Sequence, residues 1–264
     1  LISLVAGARE AGIDLGPDQQ AAFQSYFQLL EERGRQVNLT GVHGWHDVRE
    51  ELFLRSLRVL AVDETPLPDV VRRRGAGYSA VDVGTGAGVP GIVLKIALPG
   101  IAMTLLDATR KKTDFLAVAV RELKLEGVRV VNDRAEVAAH DAALRDAFDL
   151  VLARSVARLA ELAELTLPFC RVGGLVLAHK AAHVGEELAA ARFAFQALGG
   201  DPGRAIAVSR PGSAPPDSIV VVRKVKTSPR KYPRRPGLPH TRPLIEQRRP
   251  PANSRLSVST AVAP

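Results

Sequence analysis

Cysteine is almost absent, with Cys170 the only one among 264 residues. That excludes a disulfide within the chain and any cysteine-built metal cage. It suits a reducing compartment, and the chain is expected in the cytoplasm. No apolar run reaches the roughly 18 residues that a membrane-spanning helix needs. The opening Leu1-Ile2-Ser3-Leu4 has no basic stretch ahead of it, so no secretory signal is expected. Histidines are scarce as well. His43 with His46, and His179 with His183, lie close in sequence but lack a suitable third ligand nearby, so no metal site is expected.

What is present is length enough for one large α/β domain with a short appendage. A chain of this size buries on the order of 70–75% of its unfolded surface and needs no staple. Charge is unevenly placed. Between Arg223 and Arg255 there are 11 Lys and Arg and one acid, Glu246, whereas the whole chain carries only +8. A nearly neutral body thus bears a basic C-terminal segment, an electrostatic footprint for a polyanion, nucleic acid first. From charge alone, a solvated arginine-rich tail is an equal reading.

Helical spacing over 17–32 places Ala22, Phe23, Tyr26, Phe27, Leu29 and Leu30 on one face, and Gly34 is expected to stop that helix. A second helix is expected over 46–60. The stretch 63–77, with two prolines and Arg72-Arg73-Arg74, reads as a linker. Short apolar runs then alternate with helical stretches. The runs fall at 80–83, 102–106, 128–131, 150–153 and 175–178, and the helices near 91–97, 110–123, 159–167 and 184–198. Repeated β-α units imply a parallel sheet with helices on both faces. Two last strands, 204–208 and 219–224, have no helix between them and are expected to form an antiparallel edge pair. From Thr227 onward the chain is rich in Pro, Arg and Ser without periodicity, and 246–264 reads as disordered.

The strongest local signal is Val81-Asp82-Val83-Gly84-Thr85-Gly86-Ala87-Gly88-Val89-Pro90-Gly91. A buried strand ends in a turn whose glycines let the backbone approach a ligand, at the edge of the sheet where ligands bind. A dinucleotide fingerprint needs Gly-x-Gly-x-x-Gly, and Val89 breaks it. The glycines fall instead at Gly84, Gly86 and Gly88, two residues after Asp82. That arrangement resembles the first motif of S-adenosylmethionine-dependent methyltransferases, where an acid can pair with the ligand's ammonium group. The rival role for Asp82 is a turn cap. Asp107 ends the next strand about 20 residues on, placed to accept from ribose hydroxyls, or to cap the following helix. Ala135 and Glu136 follow the third strand, where in this class of fold an adenine ring would border them, a capping role being the rival.

Several stretches together resemble one family, the bacterial small-subunit (16S) ribosomal RNA guanine-N7 methyltransferases, also called glucose-inhibited division protein B. They are Asn38-Leu39-Thr40; the glycine loop through Pro90-Gly91; Leu105-Leu106-Asp107 with Arg110-Lys111-Lys112 and Phe115-Leu116; and Arg134-Ala135-Glu136. They continue with Ala153-Arg154-Ser155-Val156-Ala157, Pro168, Gly173-Gly174, Lys180, and Lys231-Tyr232-Pro233-Arg234-Arg235-Pro236-Gly237-Leu238-Pro239. The resemblance implies an α/β class I methyltransferase fold, a mostly parallel sheet with a terminal antiparallel pair and an N-terminal helical cap. The division would be a cap over 1–62, a linker over 63–78, the methyltransferase domain over 79–226 and a basic tail over 227–264. S-adenosylmethionine would bind along Asp82, Gly84, Gly86, Gly88, Asp107, Ala135, Glu136 and Arg154. Arg154 and Lys180 would position the substrate, and Arg230, Lys231, Arg234 and Arg235 would hold RNA phosphates. The partner would be 16S rRNA or the small subunit, met by a monomer with no metal and no membrane. Three departures lie on the substrate side. Leu52 and Arg55 stand where family members often show His and Asp or Asn, Ala181 stands where Gly is common, and His240-Thr241-Arg242 stands where a lysine is usual.

Guanine N7 has a free lone pair and needs alignment with the donor methyl rather than a general base. An exocyclic-amine methylase usually carries Asn/Asp-Pro-Pro-aromatic after the fourth strand, and here that place reads Ala153-Arg154-Ser155-Val156. Pyrimidine C5 methylation needs a cysteine nucleophile, and Cys170 reads as core. Aromatics suited to stacking are few, with Tyr232 the best placed in the basic tail, its other role being to pack back on the sheet. Two other functional classes stay open at this point, a small-molecule methyltransferase on the same fold and an RNA-binding relative without catalysis.

Overall fold

A computed structural model describes residues 3–37, 39–64, 66–180, 184–208 and 216–246. Asn38, Ala181 and the stretch 247–264 expected to be disordered lie outside the described residues.

Seven strands form one sheet: β1 (Ser79–Val83), β2 (Ala102–Asp107), β3 (Val128–Asn132), β4 (Phe148–Arg154), β5 (Cys170–Lys180), β6 (Arg204–Val208) and β7 (Asp217–Arg223). Their order is β3-β2-β1-β4-β5-β7-β6. The first five are mutually parallel. β7 runs antiparallel to β5, and β6 antiparallel to β7. This is the class I methyltransferase plan. The chain order reverses between β1 and β4, so the carboxyl ends of β1 and β4 flank a switch point, where open α/β sheets bind ligands.

Side chains alternate across the sheet and build two cores. On one face Leu105, Leu150, Leu152, Leu175 and Leu177 pack with the N-terminal helices through Phe23, Tyr26, Phe53 and Leu57. On the other face Val81, Val83, Val151 and Val176 pack with Leu159, Leu162 and Phe195 of the helices Leu159–Thr166 and Gly185–Ala197. The N-terminal helices therefore form one layer of the body. Residues 45–61 are continuous helix with a π-helical stretch, Val48–Leu54, inside it.

Three local expectations differ. The helix starting at Pro17 runs through Gly34 to Val37. A mid-helix glycine costs only about 1 kcal/mol relative to alanine, and the Gly34 carbonyl accepts the Leu39 N–H. The linker contains a helix, Leu67–Arg72, with Leu67 and Val70 fully buried. Pro68 sits in its first turn, where a missing N–H is harmless. The basic tail is folded onto the body as far as Leu244, which packs against the second core. Arg145 donates to the carbonyls of Ser228 and Tyr232 at 2.9 Å each, and His140 Nε2 meets the Pro233 carbonyl at 2.9 Å. Glu164 is completely buried, and Arg234 neutralises it at 2.7–3.1 Å.

Removing the charge of Arg234 strands Glu164 in the interior. Arg234→Met is expected to cost about 3 kcal/mol, read as a lower urea midpoint with unchanged slope. A midpoint like that of the parent would refute a structural role for this pair.

Candidate active site

The turn after β1 is fixed from three sides. From below, the Asp82 Oδ2 accepts from Thr85 Oγ1 at 2.5 Å and from the Gly91 N–H at 2.8 Å. One carboxylate oxygen thus spans the loop and caps the helix that follows it. From the side, the Leu106 carbonyl accepts the N–H groups of Gly84 and Thr85 at 2.8 and 3.1 Å. From the cap, Tyr26 donates its hydroxyl to the Ala87 carbonyl at 2.6 Å. Gly91 must lack a side chain, since a Cβ there would stand 2.4 Å from Leu105 Cδ2 and 2.9 Å from Asp82 Oδ2. Gly86 is different. Its φ is +59°, and a Cβ there would meet only the Gly84 carbonyl, at 4.0 Å, so this turn of backbone faces open space. Gly88 faces Ile92 and the Tyr26 hydroxyl instead.

Asp107, at the tip of β2, uses Oδ2 to accept the Gly86 N–H at 3.0 Å and Oδ1 to accept the Thr109 N–H at 2.8 Å. Asp107 thus orients the glycine loop and holds the Thr109 N–H just ahead of the next helix, whose N-cap is Thr109 itself. Beside it lies a cavity of about 170 Å³ lined by Val83, Gly84, Asp107, Ala135, Glu136 and Val156, among others. Glu136 is buried there. Burial disfavours its charge, but hydrogen bonds from the Gly237 N–H and Arg134 outweigh that and hold its carboxyl below the ordinary value. The tail therefore reaches the cavity wall, a contact that sequence reading missed because it joins residues 101 apart.

Arg154 and Lys180 leave neighbouring strand ends. Arg154 donates to the Glu51 carbonyl at 2.5 Å and to Ser56 Oγ at 3.2 Å, both on the cap. Burial, then the nearby Arg55 charge, lower its guanidinium to about 10. Lys180 donates to the Ala157 carbonyl at 3.1 Å and to Glu187 at 2.8 Å. It holds the loop after β4. In the tail, Arg230, Lys231 and Arg235 are exposed, and the Lys231 ammonium sits 5.2 Å from the Tyr232 ring centroid. Arg234 is committed to Glu164. The structure thus gathers Asp82, Gly84, Gly86, Asp107, Ala135 and Glu136 around one edge, with Arg154 next to it. Arg230, Lys231 and Arg235 stand on the tail.

The family model of rRNA small subunit methyltransferase G matches residues 19–211. The chain belongs to this family. Among its relatives is the ribosomal RNA small subunit methyltransferase G of Pelotomaculum thermopropionicum, 42% identical over 238 residues, which are 90% of this chain and 96% of that one. The protein of the same name from Dehalococcoides mccartyi is 38% identical over 242 residues, covering 92% and 99% of the two chains. That of Lactiplantibacillus plantarum is 41% identical over 233 residues, covering 88% and 93%.

The residues of this methyltransferase fit its donor. Asp82 Oδ1 is buried and has no hydrogen-bond partner among the described residues. Burial raises its carboxyl to about 6, against the pull of Thr85, Gly91 and Arg154. A cationic group brought to that oxygen satisfies it and favours its ionised form.

Two outcomes follow from this geometry. Gly86→Asp fills the open face and adds a charge of the same sign as the donor carboxylate. Calorimetry should find S-adenosylmethionine binding lost, while the chain still unfolds cooperatively at a somewhat lower Tm because the new side chain sits at positive φ; unaltered affinity would sink the loop assignment. The second concerns pH. Between 3.8 and about 6 the folded chain holds an Asp82 proton that the unfolded chain has released, so this group lowers stability as pH rises through that window. Donor binding runs the other way and should tighten from about pH 5 to about pH 7. Asp82→Asn should bind weakly at both values; a variant that kept the parent's pH dependence would exclude Asp82 as its origin.

Proposed function

We propose that this chain transfers the methyl group of S-adenosylmethionine to N7 of a guanine in 16S ribosomal RNA, acting as a monomer in the cytoplasm. The observation that carries the reading is the cradle of Asp82, Gly86 and Asp107 in a member of this family. S-adenosylmethionine bound there supplies an electrophilic methyl group on a sulfonium centre. Asp107, at the tip of β2, would accept from its ribose hydroxyls, while Ala135 and Glu136 would border its adenine. Asp82 and Arg154 offer opposite charges to the two ends of the donor's amino acid.

A second cleft shares Val156 with the donor cavity. It measures about 750 Å³ and is lined by Ala157, Arg158, Glu161, Glu187 and His240, among others. It offers room for a base drawn out of the RNA, which N7 requires because it faces the deep groove of A-form helices. N7 attacks with its own lone pair, so the chain needs no base. Its tasks are alignment and stabilisation of the positive charge that develops on the ring. The carboxylates of this cleft suit the second task. Lys180 serves the first by fixing the loop at Ala157.

Arg230, Lys231 and Arg235 are the tail's contribution to phosphate binding. Arg234 is not needed for it, being held by Glu164. Replacing those three exposed residues with alanine should lower the salt slope of RNA binding by about 2, with donor affinity intact. An unchanged slope would remove the tail from the RNA surface. The reaction itself is tested with small subunits lacking N7-methylguanine and a labelled donor. One labelled N7-methylguanine is expected, and a methyl group on any other atom contradicts the assignment.

A further inference from the structure

The cap-facing side of the sheet ends in a row of polar groups. Asp82 pairs in register with Leu152, two residues before Arg154 on the same face. Arg154 is the register partner of His179, and His179 of Ile219, two residues after Asp217. Asp82, Arg154, His179 and Asp217 therefore line the carboxyl edge side by side, beneath the cap. Asp217 is 2% exposed, yet it carries a charge. Burial alone would raise its carboxyl, but hydrogen bonds from His179 at 3.0 Å and from Arg55 outweigh that and hold it well below the usual range. Arg55 approaches it with both forks, Nε at 2.6 Å and Nη2 at 2.7 Å, across 162 residues of sequence. Bidentate geometry of this kind fixes orientation as well as distance.

Arg55 lies at the end of the π-helical stretch, where its N–H reaches five residues back to the Glu50 carbonyl. The groups that hold Arg154, the Glu51 carbonyl and Ser56 Oγ, lie on either side of it in the same continuous helix. Wherever Arg55 is pinned, the seat of Arg154 is pinned too. Arg55 and Arg154 repel one another, and Asp217 and Glu51 attract both.

We infer that Arg55 and Asp217, backed by His179, are positioning residues for methyl transfer, docking the cap on the carboxyl edge and thereby setting the Arg154 guanidinium beside Asp82. The inference rests on the methyltransferase reading for its effect on rate, but the docking itself is independent of it. Arg55 is thus more than a departure from the family pattern, because its partner lies in the same chain.

Charge reversal tests this in the full-length protein. Trp45 is the only tryptophan. It lies in the cap against Phe27 and Phe53, with ring centroids 5.3 and 6.2 Å away; Phe53 belongs to the π-helical stretch that ends at Arg55, so quenching of Trp45 by acrylamide reports disturbance of that stretch without any donor. Arg55→Asp and Asp217→Arg should each raise Trp45 quenching. Each should lower kcat, counted per donor-binding site, by about tenfold or more, and weaken donor binding as the Arg154 guanidinium leaves its seat. Arg55→Asp/Asp217→Arg in one chain should restore both readouts to within about threefold of the parent, and it keeps the test decisive where a single reversal fails to fold. Singles that lose only thermal stability, at unchanged kcat per site and unchanged quenching, would overturn the inference. So would a double reversal no better than its worse single. A parent that transfers no methyl group while the quenching pattern holds counts against the reaction and leaves the docking role standing.

Discussion

Asp82 is buried at the end of β1 with donors on one oxygen and none on the other. Oδ2 closes the glycine loop by accepting from Thr85 and Gly91, so the loop's shape and the start of the next helix share one acceptor. Oδ1 is a carboxylate oxygen out of contact with water, an arrangement that costs free energy until a donor reaches it. The raised carboxyl value expresses the same imbalance. Much of the surrounding architecture keeps that oxygen dry. Tyr26 seals the loop from the cap, Asp107 holds Gly86 from the next strand, and Arg154 supplies a compensating charge from β4.

The N-terminal helices and the basic tail complete this site from opposite faces of the sheet. The cap contributes Tyr26 to the loop and the Glu51 carbonyl and Ser56 to Arg154. The tail contributes the Gly237 N–H to Glu136 and Arg234 to Glu164. Neither is a detachable accessory. A basic tail seen only as charge would be an RNA-binding arm, whereas here part of its charge neutralises the interior and part stays exposed.

Sequence was informative where structure is local. All seven strands overlap their expected positions, and the buried parallel strands β1, β2, β4 and β5 do so because such strands read as short apolar runs bounded by turn residues. The glycine loop and Asp107 were legible because one tight turn and one strand tip fix them. Gly34 and the helix Leu67–Arg72 escape a reading by breaker residues because one mid-helix glycine costs little, and because Pro66 and Pro68 stand at the start of their helix, where they are tolerated, while Leu67 and Val70 are buried. Pairs that join distant segments left no local mark. Arg55 with Asp217, Glu164 with Arg234, and Gly237 with Glu136 each cross the fold. Only an acid or base in an apolar run hints at such a partner, and Glu164 within Leu-Ala-Glu-Leu-Ala-Glu-Leu was such a hint.

The account's central claim is that the edge between Asp82 and Asp107 holds the methyl donor. The most direct measurement is a crystal structure with S-adenosylmethionine bound. It should show the ribose hydroxyls within hydrogen-bond distance of Asp107, the adenine against Ala135, and the donor's ammonium group on Asp82 Oδ1. A donor seated elsewhere, or one that leaves Asp82 Oδ1 without a partner, would contradict the account.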